Sequence, residues 1–260
     1  MATLPENSNN PDFVQSLSRG LAVISAFSED SPSMTLTEVS EKVGLTRATA
    51  RRFLLTLESL GFMRSDGKNF SLTPKVMELG YSYLASQGLA GIISPHLAEL
   101  SAVVHESSSA AILDGTDIVY IARTAGRKIM QVQITIGTRF PAYATSMGRV
   151  LLAGMSAEDS AHILTQAQPQ LLTPHTKVAL PVLTSEIALV KTQGFSFVDQ
   201  ELELGLRSLA VPIHNRNGNV IAALNVSTTA STPVDQTLTS LLAPLKKCAE
   251  SIEYDLSLTA

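Results

Sequence analysis

The 260-residue sequence predicts an α+β protein of two units in series, and three observations predict it. From Phe13 to Leu60, three stretches place apolar residues at helical spacing, and an alternating stretch around Asp66-Gly67 follows them. Beyond Ser108, runs of period two are separated by helical runs. Between these regions, Thr73-Pro74 restarts a helical pattern with Val76, Leu79, Gly80, Tyr83 and Leu84 on it, a connecting helix over 74–88.

Residues 1–12 are rich in Asn, Ser and Pro and offer nothing to bury, so they read as a disordered tail. Val14, Leu17, Leu21, Ile24 and Phe27 define a first helix over 13–27, which Glu29-Asp30-Ser31-Pro32 ends. Leu36 to Val43 is a short second helix, with Thr35 and Glu38 spaced as a capping box. Gly44-Leu45-Thr46 is a turn, and Thr46 caps a third helix running to Leu60. That helix has an apolar stripe of Ala50, Phe53, Leu54, Leu57 and Leu60, while Arg47, Arg51, Arg52, Thr46 and Thr49 make its N-terminal end cationic and hydrogen-bonding. Gly61 closes it, and Phe62 to Leu72 alternates around Asp66-Gly67 as a hairpin. Three helices and a hairpin make a winged helix-turn-helix domain over 13–73.

Charge narrows the partner. A net charge of −4 and a pI near 5.7 argue against a chain that coats nucleic acid, so contact with DNA needs a local patch. Between residues 42 and 68 stand Lys42, Arg47, Arg51, Arg52, Arg64 and Lys68 against Glu58 and Asp66. A basic helix face alone is commonly just solvated, and an Asp-Gly hairpin occurs in many folds. In this order they point to double-stranded DNA, with Arg47 and Thr49 at base edges, Arg51, Arg52 and Lys68 at phosphates, and Thr37 and Thr46 completing the surface. The single cysteine, Cys248, excludes an internal disulfide and any multi-cysteine zinc site, which suits a reducing cytoplasm. The N-terminal stretch lacks a signal-peptide pattern, and no apolar run is long enough for a membrane span.

The second domain, 89–260, reads as a helix from Ile93 to Val104, then strands over 108–114, 117–123 and 129–136. Helices over 147–155, 157–167 and 181–193 follow, then strands over 195–198, 206–214 and 220–227, and a last helix over 234–256. The five histidines are scattered, and no nucleophile elbow, phosphate loop or dinucleotide fingerprint is present, so no catalytic residue, metal or cofactor is expected. Binding is better supported. Gly137 to Arg149 joins a strand to a helix N-terminus, where free N–H groups favour an anion, and Arg139 can clamp a carboxylate or equally pair with an acidic side chain. Asp199-Gln200-Glu201 and Gly205-Leu206-Arg207-Ser208 form a second polar cluster, or ordinary loop chemistry.

Ser16-Leu-Ser-Arg-Gly-Leu-Ala-Val-Ile24, Leu36-Thr-Glu-Val-Ser, Gly44-Leu-Thr-Arg-Ala-Thr-Ala-Arg-Arg52 and Gly61-Phe62 resemble the IclR family of bacterial transcription regulators, as do Pro141 to Leu152 and Gly194 to Asn215. The resemblance covers Phe13 to Leu256. Arg127 to Met130, Gly137 to Ala153 and Val198 to Glu203 are similar to its aromatic-acid subgroup, the PcaR, PcaU and PobR type that regulates the β-ketoadipate pathway. It implies a GAF-like effector domain, a dimer or dimer of dimers, palindromic operator DNA, and effector contacts at Ser146, Met147 and Ser208. Where many members carry an acid contacting a small keto acid, this chain has Val198, with Asp199 beside it. A less polar pocket suits an acid of the protocatechuate, 4-hydroxybenzoate or β-ketoadipate type. The alternatives are a short keto acid such as pyruvate or glyoxylate, or an effector domain with enzymatic activity. Arg139 is the expected carboxylate partner, with Thr145 and Tyr143 as nearby hydrogen-bonding groups; Asp199 is a further effector candidate, although strand alternation would turn it away from Val198. Dimerisation is expected through the first helix and the connecting helix around Tyr81 and Tyr83.

Overall fold

A computed structural model describes residues 12–28, 30–79, 88–126 and 134–258. The chain divides into two compact units between Ser86 and Gln87. Residues 1–11 of the tail, and residues 80–87 with Tyr81 and Tyr83, lie outside the described residues.

The first unit contains α1 (Gln15–Ser25), β1 (Ser33–Thr35), α2 (Leu36–Lys42), α3 (Arg47–Ser59), β2 (Met63–Ser65) and β3 (Asn69–Leu72). Val23, Met34, Val39, Leu54, Leu57 and Met63 form its core. Local chemistry sets each helix start. At Thr35 the capping box is complete: the Thr35 hydroxyl accepts from the Glu38 amide, and the Glu38 carboxylate accepts from the Thr35 amide at 2.7 Å. The Thr35 amide and hydroxyl, both donating to it, hold the Glu38 carboxyl below its usual value. Gly44 turns the chain into α3 with φ +66°. The stripe expected on α3 is narrower than its sequence suggests, since Leu60 caps the helix and is exposed, and Phe53 is half-buried. β1 was not foreseen. It joins the hairpin through Met34 opposite Phe70, giving a three-stranded sheet in the order β1-β3-β2. After β3, Thr73 caps a single 3-10 turn, Pro74–Val76.

The second unit begins with α4 (Leu89–Val104), which starts four residues before the expected Ile93. β4 (Ser107–Asp114), β5 (Asp117–Thr124), β6 (Arg139–Pro141), β7 (Ser196–Asp199), β8 (Leu206–His214) and β9 (Val220–Thr229) form an antiparallel sheet ordered β6-β5-β4-β9-β8-β7. Of the strand expected over 129–136, residues 129–133 lie outside the described residues, and 134–136 are not in a ladder. Arg139–Pro141 pairs with the start of β5, Asp117 to Val119. One sheet face packs on α4 and α8 (Val234–Leu258) through Ile93, Leu97, Leu224 and Leu245. The other carries α5 (Ser146–Ala153), α6 (Ala157–Ala167) and α7 (Leu180–Gln193) over Ile118, Tyr120 and Ala223.

A bulge between Ala110 and Ala111 sets two side chains on one face. Ala111 pairs with Tyr120 and Ala110 with Ala122, so Ile121 is the extra residue. Tyr120 and Arg123, an odd number of residues apart, therefore both point to the α5 side.

Candidate functional site

The exposed end of α3 carries the first group of candidate residues. Thr46 caps the helix by accepting from the Thr49 amide, and the two hydroxyls lie 2.9 Å apart. Arg47, Arg51 and Arg52 are exposed, and among the described residues none pairs with a carboxylate. Lys68 sits at the exposed tip of the β2–β3 hairpin. There the Asp66 carboxylate accepts from the amides of Lys68 at 2.9 Å and Asn69 at 2.7 Å, which pulls its pKa down to about 2. Thr37 lies half-buried in the first turn of α2, its carbonyl accepting from the Ser40 hydroxyl. A helix whose N-terminal end offers unpaired guanidinium groups and hydroxyls, with a cation on a neighbouring hairpin, has the means to read a groove and hold phosphates.

The second group surrounds a small cleft, with about 20 Å³ open to a water-sized sphere, where the start of α5 meets the sheet. Thr145 is the N-cap of α5, accepting from the Gly148 amide. This turn is tight: a Cβ at Gly148 would lie 2.2 Å from the Ala142 carbonyl oxygen. Thr145, Ser146 and Met147 all line the cleft, and the Ser146 hydroxyl donates to that of Ser208 on β8 at 2.8 Å. Tyr120, Ile134, Val198 and Leu202 supply apolar wall. The structure thus brings together four of the residues expected at the site.

The other three are placed elsewhere. Arg139 extends from the edge strand β6 to Asp114 at 2.6 Å and Asp117 at 3.3 Å, a pairing that raises its pKa and leaves it outside the cleft lining. Tyr143 is buried in the core beneath α5, its hydroxyl donating to the Gln170 carbonyl and accepting from the Gln170 amide. Asp199 faces the opposite side of the sheet from Val198 and pairs with Arg207 at 2.7 Å, which lowers its pKa.

Three polar contributors were missed. Asn225 and Ser227 on β9 line the cleft, and the Asn225 Nδ2 donates to the Ser227 hydroxyl at 3.1 Å. Asn225 Oδ1 is buried with no partner. Alternation along β9 was visible, but the facing side of each residue was not. Buried Arg149 is the third. It donates to both Glu201 oxygens at 2.8 and 2.6 Å, tying α5 to the segment that carries Leu202. An arginine leading into the apolar Val150-Leu-Leu-Ala153 was the available signal. Among the described residues no group of three His, Cys, Asp or Glu side chains is arranged to hold a metal ion.

Residues 16–67 match the IclR helix-turn-helix domain, and residues 81–254 match the C-terminal domain of the bacterial transcriptional regulator IclR. The chain belongs to the IclR family. It is 46% identical over 220 residues to the Pca regulon regulatory protein of Pseudomonas putida, covering 84% of this chain and 76% of that one. With the Pca operon regulatory protein of Acinetobacter baylyi it shares 37% identity over 246 residues, 93% of this chain and 88% of the relative. A solved transcriptional regulator from Rhodococcus sp. RHA1 superposes with a TM-score of 0.86 at 50% identity, over 95% of this chain and all of that one. In this IclR-family regulator the α3 tip belongs to the helix-turn-helix domain and the cleft to the C-terminal domain. Among the described residues no helix is long and apolar enough to cross a membrane.

Proposed function

We propose that this regulator controls an operon for aromatic-acid breakdown, and that it acts in the cytoplasm by binding rather than by catalysis. The C-terminal cleft carries the reading of the effector: apolar Tyr120, Ile134, Met147, Val198 and Leu202 surround a small polar set of Ser146, Ser208 and Asn225. Such a lining suits a ring with a few oxygen substituents, of the protocatechuate or 4-hydroxybenzoate type, or a β-ketoadipate-type dicarboxylate. The two Pca-regulator relatives support the catabolic setting. With Val198 where an acidic residue would grip a small keto acid, pyruvate and glyoxylate are poorer matches.

On DNA, Arg47 and Thr49 meet base edges, Arg51, Arg52 and Lys68 meet phosphates, and Thr37 and Thr46 flank them. One head has few base-reading side chains, so two copies bind a palindromic operator. The boundaries that fit this division are a DNA-binding domain over 13–73, a linker over 74–88 and an effector domain over 89–260. The acid works by binding one arrangement of the paired heads more tightly than another.

The test is fluorescence anisotropy on a labelled upstream fragment, with acid titrations by calorimetry. Arg47→Ala is expected to weaken operator binding by about 10- to 100-fold while leaving acid affinity unchanged. Unchanged operator affinity would remove Arg47 from the interface, and tight pyruvate binding without any aromatic response would remove the aromatic effector.

A further inference from the structure

Holding a carboxylate inside a half-buried cleft calls for a cation that has no carboxylate of its own. Arg139 and Arg149 fail that condition, being paired with Asp114 and Glu201. Arg123 meets it. It is half-buried on β5, its Nη1 lies a long 3.4 Å from the Ser109 hydroxyl, and among the described residues no carboxylate pairs with it. Burial lowers its pKa, as expected of a guanidinium that has lost water without gaining a counter-charge.

Register sets this cation beside the cleft, two strands from the lining residue Asn225, although neither Arg123 nor Ser109 is itself in the lining. Arg123 lies opposite Ser109, and Ser109 opposite Asn225, so the three side chains stand in one row on the α5 face. Strands are about 4.8 Å apart, so a guanidinium held over Ser109 is one step from the Asn225 amide. That amide is 3% exposed, lines the cleft and leaves Oδ1 without a partner. Turning it by 180° lets Oδ1 accept from the Ser227 hydroxyl and presents Nδ2 to the cleft as a donor.

We infer that Arg123 holds the effector's carboxylate, with the Asn225 amide as second donor and the ring directed over Tyr120 and Met147 towards the Ser146–Ser208 hydroxyls. The assignment rests on the cleft taking an aromatic acid. Arginine's planar fork suits a carboxylate, whereas an uncharged isostere gains little from it.

The experiment compares 4-hydroxybenzoate with its neutral amide, 4-hydroxybenzamide, by calorimetry on the full chain. Wild type is expected to favour the acid, and Arg123→Met to lose acid affinity by about 30-fold or more with the amide little changed. Arg123→Lys, which keeps the charge, recovers part of the preference, and operator binding by both variants reports that they fold; should Arg123→Met fail to fold, Arg123→Gln carries the same comparison. An unaltered acid-over-amide preference in the Met or Gln variant overturns the role of Arg123 and leaves the aromatic-acid reading standing. Failure of wild type to bind the acid overturns both.

Discussion

Arg149 has no exposed surface, and its guanidinium is engaged on several sides. Besides Glu201 it donates from Nε to the Tyr143 carbonyl at 3.0 Å and from Nη1 to Glu186 at 3.4 Å, while the Glu201 carboxylate also accepts from the Lys177 amide. Removing one member of such a pair strands the other charge in the interior, a loss larger than the pair's own net stabilisation. Arg149→Met is therefore expected to lower stability by about 3 kcal/mol, with the thermal midpoint falling by roughly 6–12 °C. Adding Glu201→Gln should recover part of that loss, because no charge is then left buried. Thermal unfolding followed by circular dichroism checks this, and a single variant as stable as wild type would mean that water reaches Glu201. Cys248 shows burial acting on a different group: desolvation, aided by Glu99, pushes the thiol up to about 12, so it is not a thiolate at neutral pH.

At the scale of elements, the wing depends on Asp66. Its folded pKa of about 2 lies below the unfolded value of 3.8, so its contribution is fully present above 3.8 and is lost as pH falls through about 2. The Lys68 and Asn69 amides should keep their hydrogen-bonded chemical shifts at pH 5 and lose them as Asp66 is protonated, which an NMR pH titration reads directly. Unchanged shifts below pH 2 would show that the turn holds itself. The wing turn and both caps were legible in the sequence because their partners lie within a few residues: Asp66 with Asn69, Thr35 with Glu38, Thr46 with Thr49. Distant pairings were not. β1 depends on a strand on the far side of α3, and β6 carries Arg139 to the Asp114–Asp117 turn rather than into the cleft. Arg123 was hidden for a subtler reason: simple alternation places it opposite Tyr120, and only the bulge at Ile121 reverses this.

For the whole molecule, α1 and its N-cap residue present Val14, Leu17 and Leu21 at 60%, 62% and 51% exposure, an apolar stripe at i, i+3 and i+7. The second copy proposed above would cover this stripe, and Leu17→Glu with Leu21→Glu should then shift sedimentation towards a smaller species and weaken operator binding. Acid affinity, which belongs to the other unit, should be retained; an unchanged assembly would place the self-contact elsewhere. The row from Arg123 through Ser109 and Asn225 to Ala210 has one more consequence. Each strand advances it by about 4.8 Å, so it measures a ligand like a ruler graduated in strand steps. From a carboxylate held near Ser109, β8 is about two graduations away, on the order of 10 Å, with the Ser208 hydroxyl two residues further along that strand. With the acid held as proposed, a three-carbon acid would occupy only the charged end of that scale, whereas a para-substituted ring would extend towards its far mark, and selection would be by length as well as by charge.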